Sequence, residues 1–173
     1  KMMAGHLKPK NGEMYFYGKK LQSFAPKQFM DLGVAYIPED RNIDGMIGDM
    51  SVWENSIMTE TDDRKVRSSL GWLNRDHCKN SSLLLCNTYD VRTQSLQQPA
   101  RLLSGGNVQK LLLGRWLNRS PKLLIACQPT RGLDEGAIAS IQKIILDVRK
   151  KGNAVLLITE DLDELLMLSD KIA

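Results

Sequence analysis

Two runs, residues 122–127 (KLLIAC) and 154–159 (AVLLIT), apolar throughout except for Lys122 and Thr159 at their ends, constrain this chain most. Runs that short, with no polar alternation, are strands buried on both faces of a sheet. Between them Ile138, Ile141, Ile145 and Val148 recur at helical spacing, and the segment closes on Arg149, Lys150, Lys151 and Gly152. Cations suit the negative end of a helix dipole, and glycine suits the turn beyond it. Strand, helix and strand within about 30 residues predict an α/β fold with a parallel sheet and right-handed crossovers.

The rest of the chain is read around that unit. Val108, Leu111, Leu112 and Trp116 predict a helix beginning just past Ser104-Gly105-Gly106. Residues 13–17 and 33–37 are β-prone runs bounded by Gly or Pro. Residues 50–58 read as a short capped helix, residues 63–75 as another, and residues 80–99 as an irregular lead to the next element. The acidic segment 160–170 is amphipathic. The expected organisation is a core segment over residues 1–49, a mainly helical subdomain over 50–103, and a return to the core over 104–173.

Composition removes several function classes. The 173 residues carry 24 Lys+Arg against 20 Asp+Glu, a net charge of +4, and 42% are hydrophobic, which excludes a disordered or fibrous chain. No apolar run reaches the ~18 residues of a membrane span, and KMMAGHLKPK has no signal-peptide pattern, so neither a span nor export is expected. Cys78, Cys86 and Cys127 form no CxxC pair and suit reduced thiols better than disulfides. His77 beside Cys78 has too few companions for zinc. A pI near 9.0 invites a nucleic-acid partner. The cations are scattered among acids, however, and a solvated surface explains them, so no nucleic acid is expected.

Chemistry enters with two motifs, LSGGNVQK at residues 103–110 and LLIACQPTRGLD at 123–134. The first resembles the signature motif of the ABC-type ATPases, the second their Walker B strand and D-loop. GHLKPKNGEMYFYGK, YIPEDR at the Q-loop position and AVLLITEDLDELLMLSDKIA around the switch-histidine position follow the same family's order. The resemblance covers nearly the whole chain and implies a P-loop NTPase core with a parallel sheet and a helical subdomain. In such a signature, two glycines let the backbone approach a phosphate while a helix amino terminus presents free N–H groups, and Ser104 adds a hydroxyl. The resemblance assigns Ser104, Gly105, Gly106, Asn107 and Gln109 to a nucleotide held by another domain's P-loop, and Asp134 to the dimer seam.

The departures from the family are as informative. G-x-x-x-x-G-K-[ST] occurs nowhere, so the P-loop and its strand are expected to precede this chain, and a further strand to follow it. Cys127 and Gln128 stand where the Walker B Asp-Glu pair is usual, and an amide cannot take a proton. Glu160 replaces the switch histidine, putting a carboxylate beside phosphate. Glu39 replaces the Q-loop glutamine and could still ligate Mg²⁺. Together these resemble the carboxyl-terminal nucleotide-binding half of a tandem ABC ATPase of the simple-sugar and nucleoside uptake class, QPTRGLD pointing to the nucleoside-type branch.

That resemblance implies ATP as ligand and Mg²⁺ mainly through the partner half. It implies a second ATP-binding half, a membrane permease touching the segment after Glu39, indirectly a solute-binding protein, and a place at the cytoplasmic face of the membrane. A catalytically silent structural half, or a soluble ABC ATPase acting on nucleic acid or ribosomes, are the alternatives; the latter needs basic patches or coiled-coil heptads that residues 50–99 lack. Residues 131–134 could be only a strand-to-helix turn, Trp53, Trp72 and Trp116 only packing, Cys127 an inert buried thiol, and residues 160–164 only the polar face of a helix.

Overall fold

A computed structural model describes residues 1–22, 24–68 and 70–173. Strands β3 (Val34–Ile37), β4 (Leu123–Cys127) and β5 (Ala154–Ile158) form a parallel sheet in the order β3-β4-β5. Val34 lies opposite Leu123, and Leu123 opposite Ala154. The predicted parallel α/β core is present. Residues 13–17 narrow to β1 (Tyr15–Phe16), which pairs antiparallel with β2 (Lys19–Lys20) across Tyr17 and Gly18, both at positive φ. That two-residue turn has the twist a tight hairpin needs.

Helix α4 (Gly105–Leu117) begins at the first glycine rather than beyond the pair, with Ser104 as its N-cap. Helix α5 (Glu135–Lys150) starts where Asp134 accepts a hydrogen bond from the Ala137 amide at 2.8 Å and ends with Arg149 and Lys150 in its last turn. Leu124 and Ala126 of β4 face Leu111 and Leu112 of α4 and Ile141 and Ile145 of α5 in the main core. On the other face Ile125 packs with Phe29 of α1 (Pro26–Asp31), a helix the periodicity does not announce. Each such leucine, isoleucine or phenylalanine contributes about 1.5–3 kcal/mol when fully buried.

Residues 50–99 depart from expectation. Helix α2 (Val52–Ile57) forms as predicted, with a capping box between Ser51 and Glu54. The expected helix at 63–75 is instead a run of turns closed by an Arg67↔Leu73 bridge, with Gly71 at φ +86; Ser69 lies outside the described residues. The helix falls later, as α3 (Arg75–Thr88), where residues 80–99 were expected to be irregular. Its inner stripe of Cys78, Ser82, Leu85 and Cys86 is interrupted by a serine, which hides the periodicity. Ser82 is accommodated because its hydroxyl donates to the Cys78 carbonyl at 2.8 Å. Trp53 is core, but Trp72 is 76% exposed.

The C-terminal part also needs correction. β5 is not buried on both faces; it pairs only with β4 among the described residues, and Ala154 and Ile158 are exposed. Of the acidic run, Asp161 caps α6 (Leu162–Leu168) and Glu164 is 2% exposed, so the run is not simply a solvated face. Among the described residues no helix is long and apolar enough to cross a membrane.

Candidate functional site

Two surfaces collect the predicted residues. The first is the amino terminus of α4. The amides of Gly105, Gly106 and Asn107 precede the first intrahelical bond, which Val108 makes to the Ser104 carbonyl at 2.9 Å, and no side chain caps them. They form a positive helix end fit for an anion. The Ser104 side chain caps no backbone amide; its hydroxyl oxygen instead accepts from the Asn107 side-chain Nδ2 at 2.9 Å.

The two glycines serve packing as well. A Cβ on Gly106 would stand 2.7 Å from the Ala137 Cβ, and one on Gly105 would stand 2.9 Å from an Arg41 guanidinium nitrogen. The Ala137 methyl cannot move aside, so Gly106 is needed for packing whether or not a phosphate approaches, whereas the tip of Arg41 can yield to a side chain at position 105. Asp134 and Ala137 border the same groove, of about 310 Å³. Gln109 is not brought to this surface: it is 2% exposed, and its amide nitrogen has no hydrogen-bond partner.

The second surface is a cleft of about 780 Å³ at the carboxyl ends of β3, β4 and β5. Tyr36, Glu39, Cys127, Gln128, Thr159 and Glu160 line it. Gln128, at φ +48, donates its backbone amide to the Ile158 carbonyl at 2.7 Å and accepts from the Glu160 amide at 3.3 Å through its side chain. Gln128 and Glu160 thus lie side by side in the cleft. Burial pushes the Cys127 thiol up from its ordinary pKa, keeping it protonated. Burial, with Cys127 next, pushes the Tyr36 phenol up to about 12.

Glu39 lies on the opposite wall, bound to Arg131 at 2.7 Å. Its carboxylate therefore already has a cation. No group of three His, Cys, Asp or Glu among the described residues is placed to hold a metal. Asp40, Asp44 and Glu160 also line the cleft but are not gathered around Glu39 as hard oxygen ligands, so the expectation that Glu39 ligates Mg²⁺ draws no support from this geometry.

Sequence reasoning missed the residue joining the two surfaces. Arg41 donates to the Arg131 carbonyl at 2.9 Å and lies against Gly105. It sits in a π-helical turn, Arg41–Gly45, whose start is fixed by Asp40 accepting from the amides of Asn42 and Ile43. Arg115 anchors the other end of that turn. Its guanidinium is buried and donates to the carbonyls of Gly45 at 2.7 Å and Asn55 at 3.2 Å, and desolvation lowers its pKa to about 10. The signal available for Arg41 in the sequence is that it directly follows Glu39-Asp40.

The family model described as ABC transporter matches residues 1–131. Guanosine import ATP-binding protein NupO of Bacillus subtilis (strain 168) is 40% identical over 99% of this chain and 33% of its own length. Glucose import ATP-binding protein TsgD13 of Haloferax volcanii is 42% identical over 99% of this chain and 31% of its own length. Nucleoside import ATP-binding protein NupA of Lactococcus lactis subsp. cremoris (strain MG1363) is 38% identical over the whole chain and 34% of its own length. The chain thus spans about a third of these relatives. A nucleotide-free ATP-binding cassette from an ABC transporter superposes with a TM-score of 0.75 at 22% identity, covering 98% of this chain and 67% of that one. A dimeric cassette in a post-hydrolysis state bound to ADP and Pi gives a TM-score of 0.72 at 19% identity, over 93% of this chain and 68% of that one.

Proposed function

Since the chain belongs to the ABC transporter family, we propose that it is part of the second ATP-binding half of an importer subunit energising uptake of nucleosides or simple sugars. It works at the cytoplasmic face of the membrane with a first ATP-binding half, permease subunits and, indirectly, a solute-binding protein. The segment following Glu39, with Ile43 and Ile47 exposed, receives the permease. Bound ATP supplies the phosphoanhydride whose hydrolysis drives transport. This chain contributes the signature end of α4 to the nucleotide on its partner, and its own cleft is hydrolytically silent.

The observation that carries this reading is the contrast between the two surfaces. At α4, Ser104, Gly106 and Asn107 border an open groove at a helix start that no side chain caps, a setting suited to a terminal phosphate. In the cleft, Glu39 is paired with Arg131, Gln128 is engaged with the Glu160 backbone, and Cys127 is held as a neutral thiol. The Glu160 carboxylate lines the cleft at the switch position, but the position of the Walker B base is held by the Gln128 amide, which takes no proton, and loss of a positioned base commonly lowers rates about 10²- to 10⁴-fold.

The test is the ATPase rate of the longer ATP-binding polypeptide carrying Ser104→Arg or Gln128→Ala. Ser104 is exposed and caps no amide, so arginine there obstructs the groove without removing a cap. Ser104→Arg abolishes turnover and Gln128→Ala leaves it nearly intact if the reading holds. The reverse outcome assigns Gln128 a catalytic role and overturns it. Loss in neither variant leaves the silent structural half as the better description.

A further inference from the structure

We infer that Asn107 is a positioning residue: its side chain does not reach the nucleotide but fixes the Ser104 hydroxyl as an outward-facing hydrogen-bond donor. This rests on the signature role proposed above and assigns Asn107 a different part in it. The Arg92 backbone amide donates to Asn107 Oδ1 at 2.8 Å. Only the oxygen of a carboxamide can accept that proton, so Nδ2 necessarily faces the other way. It lies 2.9 Å from Ser104 Oγ, which has no choice but to accept. The single hydroxyl proton of Ser104 is then turned away from Asn107. No acceptor takes it among the described residues, and Ser104 borders the open groove.

A neighbouring ion pair holds this polarity. Lys110, one turn along α4 and largely buried, donates to both the carbonyl and the carboxylate of Asp90, at 3.1 and 2.8 Å. Asp90 is at φ +50, a left-handed conformation that aspartate tolerates, and it turns the chain so that the Arg92 amide points at Asn107. Lys110, Asp90, Arg92, Asn107 and Ser104 form a directed relay in which the Arg92 amide fixes the Asn107 carboxamide and the carboxamide fixes Ser104 Oγ as an acceptor. Its product is a preset donor, which spends no reorganisation when negative charge arrives.

Asn107→Asp reverses the relay without changing its shape. A carboxylate still accepts from the Arg92 amide but offers Ser104 only oxygen, so the hydroxyl proton turns inward and is lost to the groove. The experiment compares Ser104→Ala, Asn107→Asp and the double variant in the longer ATP-binding polypeptide, by steady-state ATPase and by hydrogen exchange at the Arg92 amide. A hydrogen bond to a charged group is worth about ten- to a hundredfold, so each single variant lowers kcat/KM by that factor. The double variant is no worse than either single one, and the Arg92 amide stays protected throughout.

If instead the two losses multiply, the new charge acts directly on phosphate or on folding, and the inference falls while the signature reading stands. Unprotected Arg92 in Asn107→Asp overturns it as well, because the variant has then broken the relay rather than reversed it. A normal Ser104→Ala overturns the signature reading, and the inference with it.

Discussion

Gly106→Ala is the most direct test of how α4 and α5 are held together. The new Cβ would sit 2.7 Å from the Ala137 Cβ, whereas carbon atoms in contact prefer about 3.5–4.0 Å. Neither methyl has a torsion that moves it aside, so the helices must separate by about 1 Å. Overpacking of this kind costs about 1–3 kcal/mol. Alanine recovers part of that, up to ~1 kcal/mol, through its better helix propensity. The net loss is about 1–2 kcal/mol. Ala137→Gly alone loses a similar amount through propensity and one partly buried methyl. The double variant moves that methyl from one helix to the other and keeps the spacing. Urea unfolding of all four proteins, at a common m-value, is expected to give the double variant about 2–4 kcal/mol more stability than the sum of the singles predicts. Additivity within ~0.5 kcal/mol would refute the close approach.

Arg115→Met leaves the Gly45 and Asn55 carbonyls buried without their donor; relief of a desolvated charge offsets part of this, and a net loss of about 1–3 kcal/mol is expected in the urea midpoint. An unchanged midpoint would show that another donor replaces the guanidinium. Burial raises the Glu60 pKa above its ordinary value, so the folded state holds that proton more tightly than the unfolded chain does. Stability is lost as pH rises from the unfolded pKa through the folded one, and Glu60→Gln should therefore stabilise at pH 7 and lose its advantage in acid; an advantage that grows in acid contradicts the sign. Asp134→Ala removes the cap on Ala137 and should cost ~1 kcal/mol, a fall of about 2–4 °C in Tm. No change in melting would mean that α5 starts without it.

What the residues disclosed in advance was what repeats locally. β4 and α5 are visible because an unbroken apolar run and a 3.6-residue period depend on their own side chains. α3 is obscured because Ser82 stands in its buried stripe, acceptable there because its hydroxyl meets the Cys78 carbonyl, the Trp53 carbonyl and the Ser56 hydroxyl. The exposure of β5 is equally invisible: Ala154–Ile158 is as apolar as Leu123–Cys127, and only the pairing partners distinguish them. The same division holds at the site. Ser104, the glycines and Gln128 stand in readable motifs, whereas Arg41 meets a carbonyl 90 residues away. Asn107 answers to the backbone of Arg92, and backbone atoms leave no mark on a sequence.

The register of the sheet also sets an order of events in folding. Leu123 meets Ala154 across 31 residues, but Val34 meets Leu123 across 89. Closing the longer span costs about 0.9 kcal/mol more in chain entropy, before any ordering of what lies inside it. The β4-α5-β5 unit can assemble from neighbours, while β3 must wait for the segment carrying α2 and α3 to fold back. Substitutions at Leu124 or Ile145 should therefore slow folding, and those at Val34 should chiefly speed unfolding. The helical segment that separates the two strands in sequence becomes the slow step in joining them.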